Sequence, residues 1–273
     1  MITPVQASTG ADVVSLFDII KARARALIEG LLGVHLLRER FFPQGVRLDH
    51  DIRRYLPRFR ADIVFDVGAN VGQLAKHFLI WFAGAQIFCF EPVEATFKEL
   101  QENMRRQNRV HCCHLALGAV EGTGNMVHRG PREMHYLVGT QKEPSLYDPA
   151  ELEKVDIQTL DNFCRSSGVD RIGFLKIDTE GNDLEVLKGA ENMLREQRID
   201  MVQVEAAMHP GNTRHVAFET LKKHLEQRGY FVFAIYEQMY EWTERAPQLR
   251  RVDAVFISRN LIESNRNEIP TAV

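Results

Sequence analysis

The chain has 273 residues, of which 45% are hydrophobic and 26% charged, a composition typical of a globular protein with a substantial core. Its net charge of -3 argues against a general nucleic-acid-binding protein, because phosphate binding needs a surplus of basic residues. The four cysteines form no CxxC pair, so neither a zinc knuckle nor a disulfide framework is predicted. The sequence shows no apolar run long enough to cross a bilayer and no secretory signal pattern, so we expect no transmembrane segment and a cytoplasmic location.

Residues 1–45 are predicted to form a helical extension. The apolar stretch from Val13 to Leu37 is interrupted by charged residues, as expected for one or two amphipathic helices. Basic residues beside the apolar ones leave a role at a membrane surface open. We favour packing of these helices on the rest of the chain or on a second subunit, which would give a homodimer.

Residues 46–260 alternate short apolar runs with amphipathic stretches. The runs are continuous rather than alternating, as expected for parallel strands buried on both faces. The predicted strands are 63–65, 86–90, 110–117, 172–177, 199–204, 230–236 and 252–257, and the predicted helices are 73–81, 93–107, 183–197 and 216–228. We therefore predict an α/β fold with a Rossmann-like, seven-stranded, mostly parallel sheet and one antiparallel edge strand. Residues 261–273 are predicted to be a polar tail.

Residues 118–149 break this alternation with glycines, prolines and mixed charges. We interpret them as hairpin-like strands and loops, followed by an extra strand at 155–157. Aromatic residues in this insertion and near the last strands would suit stacking on a ligand: Tyr136, Tyr236, Tyr240 and Trp242.

The most informative motif runs from Asp66 to Gly72, where a strand gives way to a helix. Ligands of open α/β sheets bind at this end of the strands. Gly68 and Gly72 permit a tight turn, and the start of the helix offers N–H groups to an anion. Asn70 stands where the dinucleotide fingerprint needs a glycine, and Asp66 would repel a diphosphate. The motif therefore predicts a site for S-adenosylmethionine (SAM) in the sheet of a class I methyltransferase.

Two further positions are assigned to the same cofactor. Glu91 follows the next strand, about 20 residues after the glycine turn, where a carboxylate accepts hydrogen bonds from ribose hydroxyls. Such a carboxylate also occurs in enzymes that bind nicotinamide dinucleotides, so Glu91 alone does not discriminate. Ala116 ends the third strand and could flank the adenine, although core packing explains the same residue.

A second group of polar residues closes the next two strands. Asp178 and Glu180 follow the apolar run 172–177, and Glu205 and His209 follow the run 199–204. Because the carboxyl ends of parallel strands meet at one rim, these four residues are the candidates for the base that removes a hydroxyl proton or for acceptor binding. The helix start offers Glu180 a purely structural role. Magnesium bound by Asp178, Glu205 and His209 is an alternative, but no dense ligand motif supports it and we predict no metal.

Together these stretches resemble the FkbM family of SAM-dependent methyltransferases. The resemblance covers about residues 60–258, and its most distinctive part is 175–181 followed by 185–190. Its ordered segments are 65–72, Phe90-Glu91-Pro92, Thr159-Leu160-Asp161, 175–181, 185–190 and Val204-Glu205. One departure is Asn182-Asp183, where many members have Ala-Glu, which leaves the role of Asp183 open.

The resemblance implies methylation of a hydroxyl oxygen on a sugar, such as a deoxyhexose of a glycolipid, oligosaccharide or polysaccharide. It also implies that Asp66, Gly68, Asn70, Gly72 and Glu91 bind SAM, and that Asp178, Glu180 and Glu205 form the active-site rim. The expected partner is therefore a small molecule or a glycan. Two alternatives remain: O-methylation of a polyketide or another small hydroxylated metabolite, and a SAM-binding module without catalysis.

Overall fold

The computed structural model describes residues 16–33, 42–127, 136–138, 148, 151–240 and 246–267. The chain divides into two compact units, Met1–Pro43 and Gln44–Val273. In the first unit, helix α1 spans Leu16–Leu32, within the stretch predicted to be amphipathic. A second predicted helix before Leu37 and the aromatic Trp242 lie outside the described residues. No helix in the described ranges is long and apolar enough to cross a membrane.

The second unit contains all the strands and the other helices of the described residues. Its strands are β1 Ile63–Val67, β2 Gln86–Phe90, β3 Val110–Cys113, β4 Ala116–Leu117, β5 Gly122–Val127, β6 Tyr136–Val138, β7 Leu152–Gln158, β8 Ile172–Ile177, β9 Ile199–Ala207, β10 Tyr230–Tyr240 and β11 Leu249–Ser258. Its helices are α2 Leu48–Tyr55, α3 Gln73–Trp81, α4 Glu94–Met104, α5 Leu160–Ser167, α6 Asp183–Lys188, α7 Glu191–Arg195, α8 Phe218–Glu226 and α9 Arg259–Asn267.

The main sheet has seven strands in the order β10-β11-β9-β8-β1-β2-β3. Five of them are parallel neighbours, and β11 pairs antiparallel with both β9 and β10. The predicted mostly parallel, Rossmann-like sheet is confirmed. Its antiparallel strand differs in place from the prediction, because β11 folds back from β10 and inserts beside β9. The edge strand is therefore β10.

The core lies on both faces of this sheet. Neighbouring residues of one strand belong to opposite faces: Phe65 packs in one apolar cluster and Val64 in the other. Every residue of β8 and β9 is buried. Two covered faces explain why these strands read as continuous apolar runs.

Three predicted elements differ from the structure: two are divided, and one is partly helical. The predicted strand 110–117 is two strands, because β3 stays beside β2 whereas β4 leaves to pair with β7. The predicted helix 183–197 is α6 and α7, because the carboxylate of Asp161 accepts the N–H groups of Asn192 and Met193 and so caps a new helix start. Part of the predicted polar tail is helical: α9 packs Leu261 and Ile262 against the core.

The insertion forms a second sheet in the order β4-β7-β5-β6. Strands β5 and β6 pair antiparallel, as predicted for a hairpin. Met126 and Val155 of this sheet form a small apolar cluster with Ala116 and Val93. The second sheet therefore adds an apolar wall beside the carboxyl ends of β1 and β2.

Candidate functional site

A cavity of ≈ 420 Å³ opens at the carboxyl ends of the central parallel strands. Eight of the ten site residues predicted from sequence line it: Asp66, Gly68, Asn70, Glu91, Ala116, Asp178, Glu180 and Glu205. The other two, Gly72 and His209, are not among its lining residues. The topology thus brings the two predicted groups, one after β1 and β2 and one after β8 and β9, into one chamber.

The glycine turn forms one wall of the cavity. Gly68, Asn70 and Gly72 all have positive φ angles, of 78°, 50° and 86°. The N–H groups of Gly68 and Ala69 both donate to the carbonyl of Phe90, which ties the turn to β2. Gly72 is the N-cap residue of α3, and a side chain there would meet Leu100 and Met104. Its role is therefore to shape the turn rather than to contact a ligand.

Asp66 supplies the negative charge of this wall. Its side chain is completely buried, and neither carboxylate oxygen accepts a hydrogen bond within the described part of the chain. The Nζ atom of Lys176 lies 3.5 Å from its Oδ1 atom. Burial raises the pKa of Asp66, and the charge of Lys176 works against that rise. A buried carboxylate with unused acceptor capacity beside a cavity fits the cationic amino group of a ligand.

Glu91 lies at the end of β2 and faces the same cavity. Its Oε1 accepts the N–H of Val93 at 2.9 Å, and its Oε2 accepts the N–H of Asn70 at 3.1 Å. Burial raises the pKa of Glu91 to about 7, although both backbone hydrogen bonds lower it. Each oxygen keeps a second lone pair, so the carboxylate can also accept from two neighbouring hydroxyls. Asn70 uses its backbone here, and its buried Oδ1 accepts no hydrogen bond among the described residues.

The next part of the wall is apolar. Ala116 and Leu117 of β4 line it together with Met126 and Leu137 of the second sheet. These side chains suit a flat ring rather than a charged group. Ala116, predicted to flank the adenine, therefore lies in the apolar part of the cavity wall.

Asp178 and Lys176 line the cavity at the carboxyl end of β8. Lys176 is buried at the end of β8, and its Nζ lies 3.3 Å from Asp178 Oδ2 as well as 3.5 Å from Asp66. Burial opposes its charge, but Asp178, Asp66 and Asp253 together raise the pKa of Lys176. The Asp178 side chain is 39% exposed, and its backbone N–H donates to the carbonyl of Val67. Asp178 therefore combines access to the cavity with a fixed position.

Glu205 and Glu180 are held by a network of basic side chains. Arg251 contacts Glu205 Oε1, and His215 Nε2 lies 2.7 Å from Glu205 Oε2. Glu180 Oε2 lies 2.8 Å from Arg214 Nε and 3.4 Å from the same histidine nitrogen. Both oxygens of Glu205 are therefore engaged, whereas the ion pair between Asp178 and Lys176 involves only Oδ2 of the aspartate.

His209, the histidine predicted to lie at this rim, does not take part in the network, whereas His215 does. The ring of His209 contacts the N–H of Gly211 and the side chain of Gln248, away from the cavity. His215, to which no role was assigned, is held by the side chain of Asn212 and reaches Glu205. No local motif marks His215, since only the loop between β9 and α8 brings it back to the rim.

The three residues considered as magnesium ligands, Asp178, Glu205 and His209, do not come together in the structure as that alternative requires. His209 is not brought to Asp178 and Glu205; the ligand atoms of Glu180, Glu205 and His215 instead lie within 4.8 Å of one another. Each of these two glutamates is paired with an arginine, which supplies the positive charge that a cation would otherwise provide. The network is therefore charge-balanced by its own residues.

Asp183 has a structural role in the loop that carries the rim residues. It is completely buried, and its Oδ2 accepts from Thr179 Oγ1 at 3.2 Å and from the N–H of Gly181 at 3.3 Å. Burial raises its pKa to about 7, with a contribution from Asp178. Glu180 has a φ of 55° in this loop. Asp183 thus fixes the turn that presents Asp178 and Glu180.

Two of the aromatic residues selected for stacking, Tyr236 and Tyr240, are described by the structure and are not among the residues that line the cavity. Tyr236 is buried and donates its hydroxyl hydrogen to Asp51 at 2.9 Å, which anchors α2 on β10. Tyr240 is 59% exposed. The backbone of Tyr136 belongs to β6, and the next residue of that strand, Leu137, lines the cavity.

Comparison with known proteins agrees with this geometry. The family model described as "Methyltransferase FkbM domain" matches residues 66–232, more than half of the chain. The chain is 30% identical over 159 residues to hexuronic acid methyltransferase AglP of Haloferax volcanii, covering 55% of this chain and 58% of AglP. It is 27% identical over 190 residues to the 2-O-methyltransferase NoeI of Sinorhizobium fredii, covering 64% of this chain and 78% of NoeI.

Among solved structures, the chain resembles fibrillarin from Aeropyrum pernix in complex with SAM. The TM-score is 0.45 and the identity 12%, with 86% of this chain and 74% of fibrillarin covered. A likeness of this degree says nothing about the activity of this chain. The matched residues 66–232 include the glycine turn, Glu91 and the whole acidic rim. The chain therefore belongs to the FkbM family of methyltransferases, and its cofactor is SAM.

Proposed function

We propose that this protein transfers a methyl group from SAM to a hydroxyl oxygen of a sugar, in a glycolipid, an oligosaccharide or a polysaccharide. The observation that carries the proposal is the position of Asp178. It lies in the same cavity as the glycine turn and Glu91, and its carboxylate reaches the cavity while its Oδ2 atom pairs with Lys176. The names of AglP and NoeI, a methyltransferase of a hexuronic acid and a 2-O-methyltransferase, support a sugar and an oxygen.

Different residues around the cavity would bind different parts of SAM. Asp66 would hold the amino group, the N–H groups at the start of α3 the carboxylate, and Glu91 the ribose hydroxyls. Ala116 and Leu117 would cover one face of the adenine. When bound, SAM supplies a methyl group on a positively charged sulfur, a carbon that an oxygen nucleophile can attack in line.

The acceptor hydroxyl must lose its proton as the new bond forms. Asp178 is our candidate base, because the oxygens of Glu205 are occupied by Arg251 and His215 and because His209 lies elsewhere. The proton would move to the Asp178 carboxylate, whose Oδ2 atom lies 3.3 Å from Lys176 Nζ. Glu205 and Glu180, held by their basic partners, would orient the sugar through its other hydroxyls.

The cofactor half of the site predicts pH-dependent binding of S-adenosylhomocysteine (SAH), the reaction product. Glu91 has a pKa of about 7, so its carboxyl group is increasingly protonated below that pH and loses acceptor capacity. Affinity should therefore be highest at pH 8 and should fall by up to tenfold per pH unit below 7. The measurement is calorimetric titration from pH 6 to pH 8 on the wild type and on Glu91→Gln.

The variant should bind more weakly at pH 8 and should show a flatter profile, since its amide does not titrate. Any remaining slope would report other buried carboxyl groups at or near the cavity, Asp66, Asp183 and Asp253, whose pKa values are also raised by burial. If Glu91→Gln kept the wild-type SAH affinity and the wild-type dependence on pH, Glu91 would not be part of the cofactor site. NAD serves as the negative control, and preferential binding of NAD would overturn the assignment of the cavity.

The acceptor half is tested with SAM that carries a labelled methyl group. We expect label in methyl glycosides of fucose or rhamnose, or in oligosaccharides that contain them. The label should resist alkali, because an ether methyl survives treatment that hydrolyses a methyl ester. Label on a uronic acid that alkali releases would mean transfer to a carboxylate, against the proposal. SAH binding without transfer to any hydroxylated acceptor would support a SAM-binding module instead.

A further inference from the structure

Helix α1 presents an exposed apolar face. Ile20, Leu27, Ile28 and Leu31 are 57%, 66%, 42% and 75% exposed, and with Ala24 they follow the spacing i, i+4, i+7, i+8 and i+11. At 3.6 residues per turn these five positions form one continuous stripe along the helix. Large apolar side chains grouped in this way on a surface indicate an interaction site.

Basic residues border this stripe on both sides. Lys21 lies beside Ile28 on one edge and Arg23 beside Leu27 on the other, and both side chains are exposed. Glu29 pairs with Arg25 at 2.9 Å, away from the stripe. Long basic side chains at the edges of an apolar face can extend to lipid phosphates while the apolar residues enter the acyl boundary.

The same pattern disfavours a second copy of the chain. Ile20, Ala24, Leu27 and Leu31 could form the seam of a two-stranded coiled coil, with Lys21 and Arg23 as its flanking residues. Such a coiled coil needs acids on one flank to pair with bases on the other. The two acidic residues of α1, Asp18 and Glu29, occupy neither flank. A bilayer with negatively charged headgroups is complementary in charge to the exposed basic residues on both edges of the stripe.

We infer that α1 is a membrane-surface anchor, which lies in the plane of an anionic phospholipid bilayer with its apolar stripe in the headgroup–acyl boundary. Its 17 residues span about 25 Å. Attachment of this kind would bring the methyltransferase unit to acceptors carried on lipid. The inference itself rests only on α1, so it stands or falls separately from the proposed sugar methylation.

The test is co-sedimentation of the full chain with sucrose-loaded vesicles. One set contains equal amounts of phosphatidylglycerol and phosphatidylcholine, and the other phosphatidylcholine alone. The wild type should bind the anionic vesicles at least about tenfold more strongly, and high salt should weaken that binding. Replacing Lys21 and Arg23 by glutamine should lower the binding about fivefold for each residue.

Leu27→Glu and Ala26→Glu form a matched pair. Both add one acidic charge to an exposed position of the same helix, but only Leu27 belongs to the stripe. Leu27→Glu should reduce vesicle binding at least about tenfold more than Ala26→Glu does. Both variants should keep wild-type SAH affinity and wild-type transfer to soluble acceptors, which also shows that they fold.

Three results would overturn the inference. The wild type could fail to sediment with either vesicle, or the two variants could bind equally well. Light scattering could also reveal a dimer that Leu27→Glu dissociates while vesicle binding is absent, which would make a second copy the occupant of the stripe. Loss of methyl transfer with intact vesicle binding would contradict only the proposed function.

Discussion

Asp178→Asn should reduce the turnover number by about 10²–10⁴, the usual contribution of a positioned base. The amide has nearly the same shape, so it should occupy the same place beside Lys176 but cannot accept the hydroxyl proton at neutral pH. Lys176 keeps Asp66 as a partner, so SAH affinity should stay within about threefold of the wild type. The measurements are steady-state kinetics with a sugar acceptor and calorimetry with SAH.

Asp170→Asn is the matched control for this variant. Asp170 is exposed and precedes β8, whereas Asp178 follows it, so the same change is made at opposite ends of one strand. The control should retain wild-type turnover. If Asp178→Asn also keeps turnover within about threefold, another group is the base, and Glu205 would be the next residue to substitute.

Gly68→Ala should disrupt the cofactor half of the site. Gly68 has a φ of 78°, and a Cβ atom there would lie 1.9 Å from the carbonyl oxygen of Asp178. The left-handed backbone costs about 1–2 kcal/mol for alanine, and the overlap with a backbone atom adds about 1–3 kcal/mol. Because the displaced atom belongs to the rim, SAH affinity should fall at least about 100-fold along with the stability.

Gly84→Ala separates the two contributions. Gly84 has a similar φ of 95°, but a Cβ atom there would meet no atom within 4 Å. This variant should lose about 1–2 kcal/mol in urea unfolding and should bind SAH normally. Equal losses of stability in both variants, with SAH binding intact in Gly68→Ala, would show that the turn yields more readily than the contact implies.

The acidic rim, formed by Asp178, Glu180 and Glu205, could be predicted from local sequence. Polar residues directly after the continuous apolar runs of β8 and β9 could be placed at one rim, because parallel strands end together. Asp178, Glu180 and Glu205 could be predicted in this way. His209 was a candidate because it follows Glu205 closely in sequence, whereas in the structure a loop brings His215 to Glu205.

Lys176 and Arg251 were missed for related reasons. Lys176 is part of the distinctive motif, yet its role depends on the two carboxylates that converge on its Nζ from β1 and from the loop after β8. Arg251 comes from β11, which pairs with β9 from almost fifty residues further along the chain. A pairing between distant segments leaves no spacing in the sequence from which the contact could be predicted.

By itself the sequence determined the alternating strands and helices, the parallel sheet, the glycine turn, Glu91 and the acids at the strand ends. These features depend on periodicity, on backbone conformations that favour glycine and on charges where apolar runs stop, all of which are local. Only the tertiary structure decided which strand lies at the sheet edge, which histidine reaches Glu205, and which carboxylate keeps its oxygens accessible. Those outcomes depend on distances between residues far apart in the chain, because packing and ion pairing act across the fold.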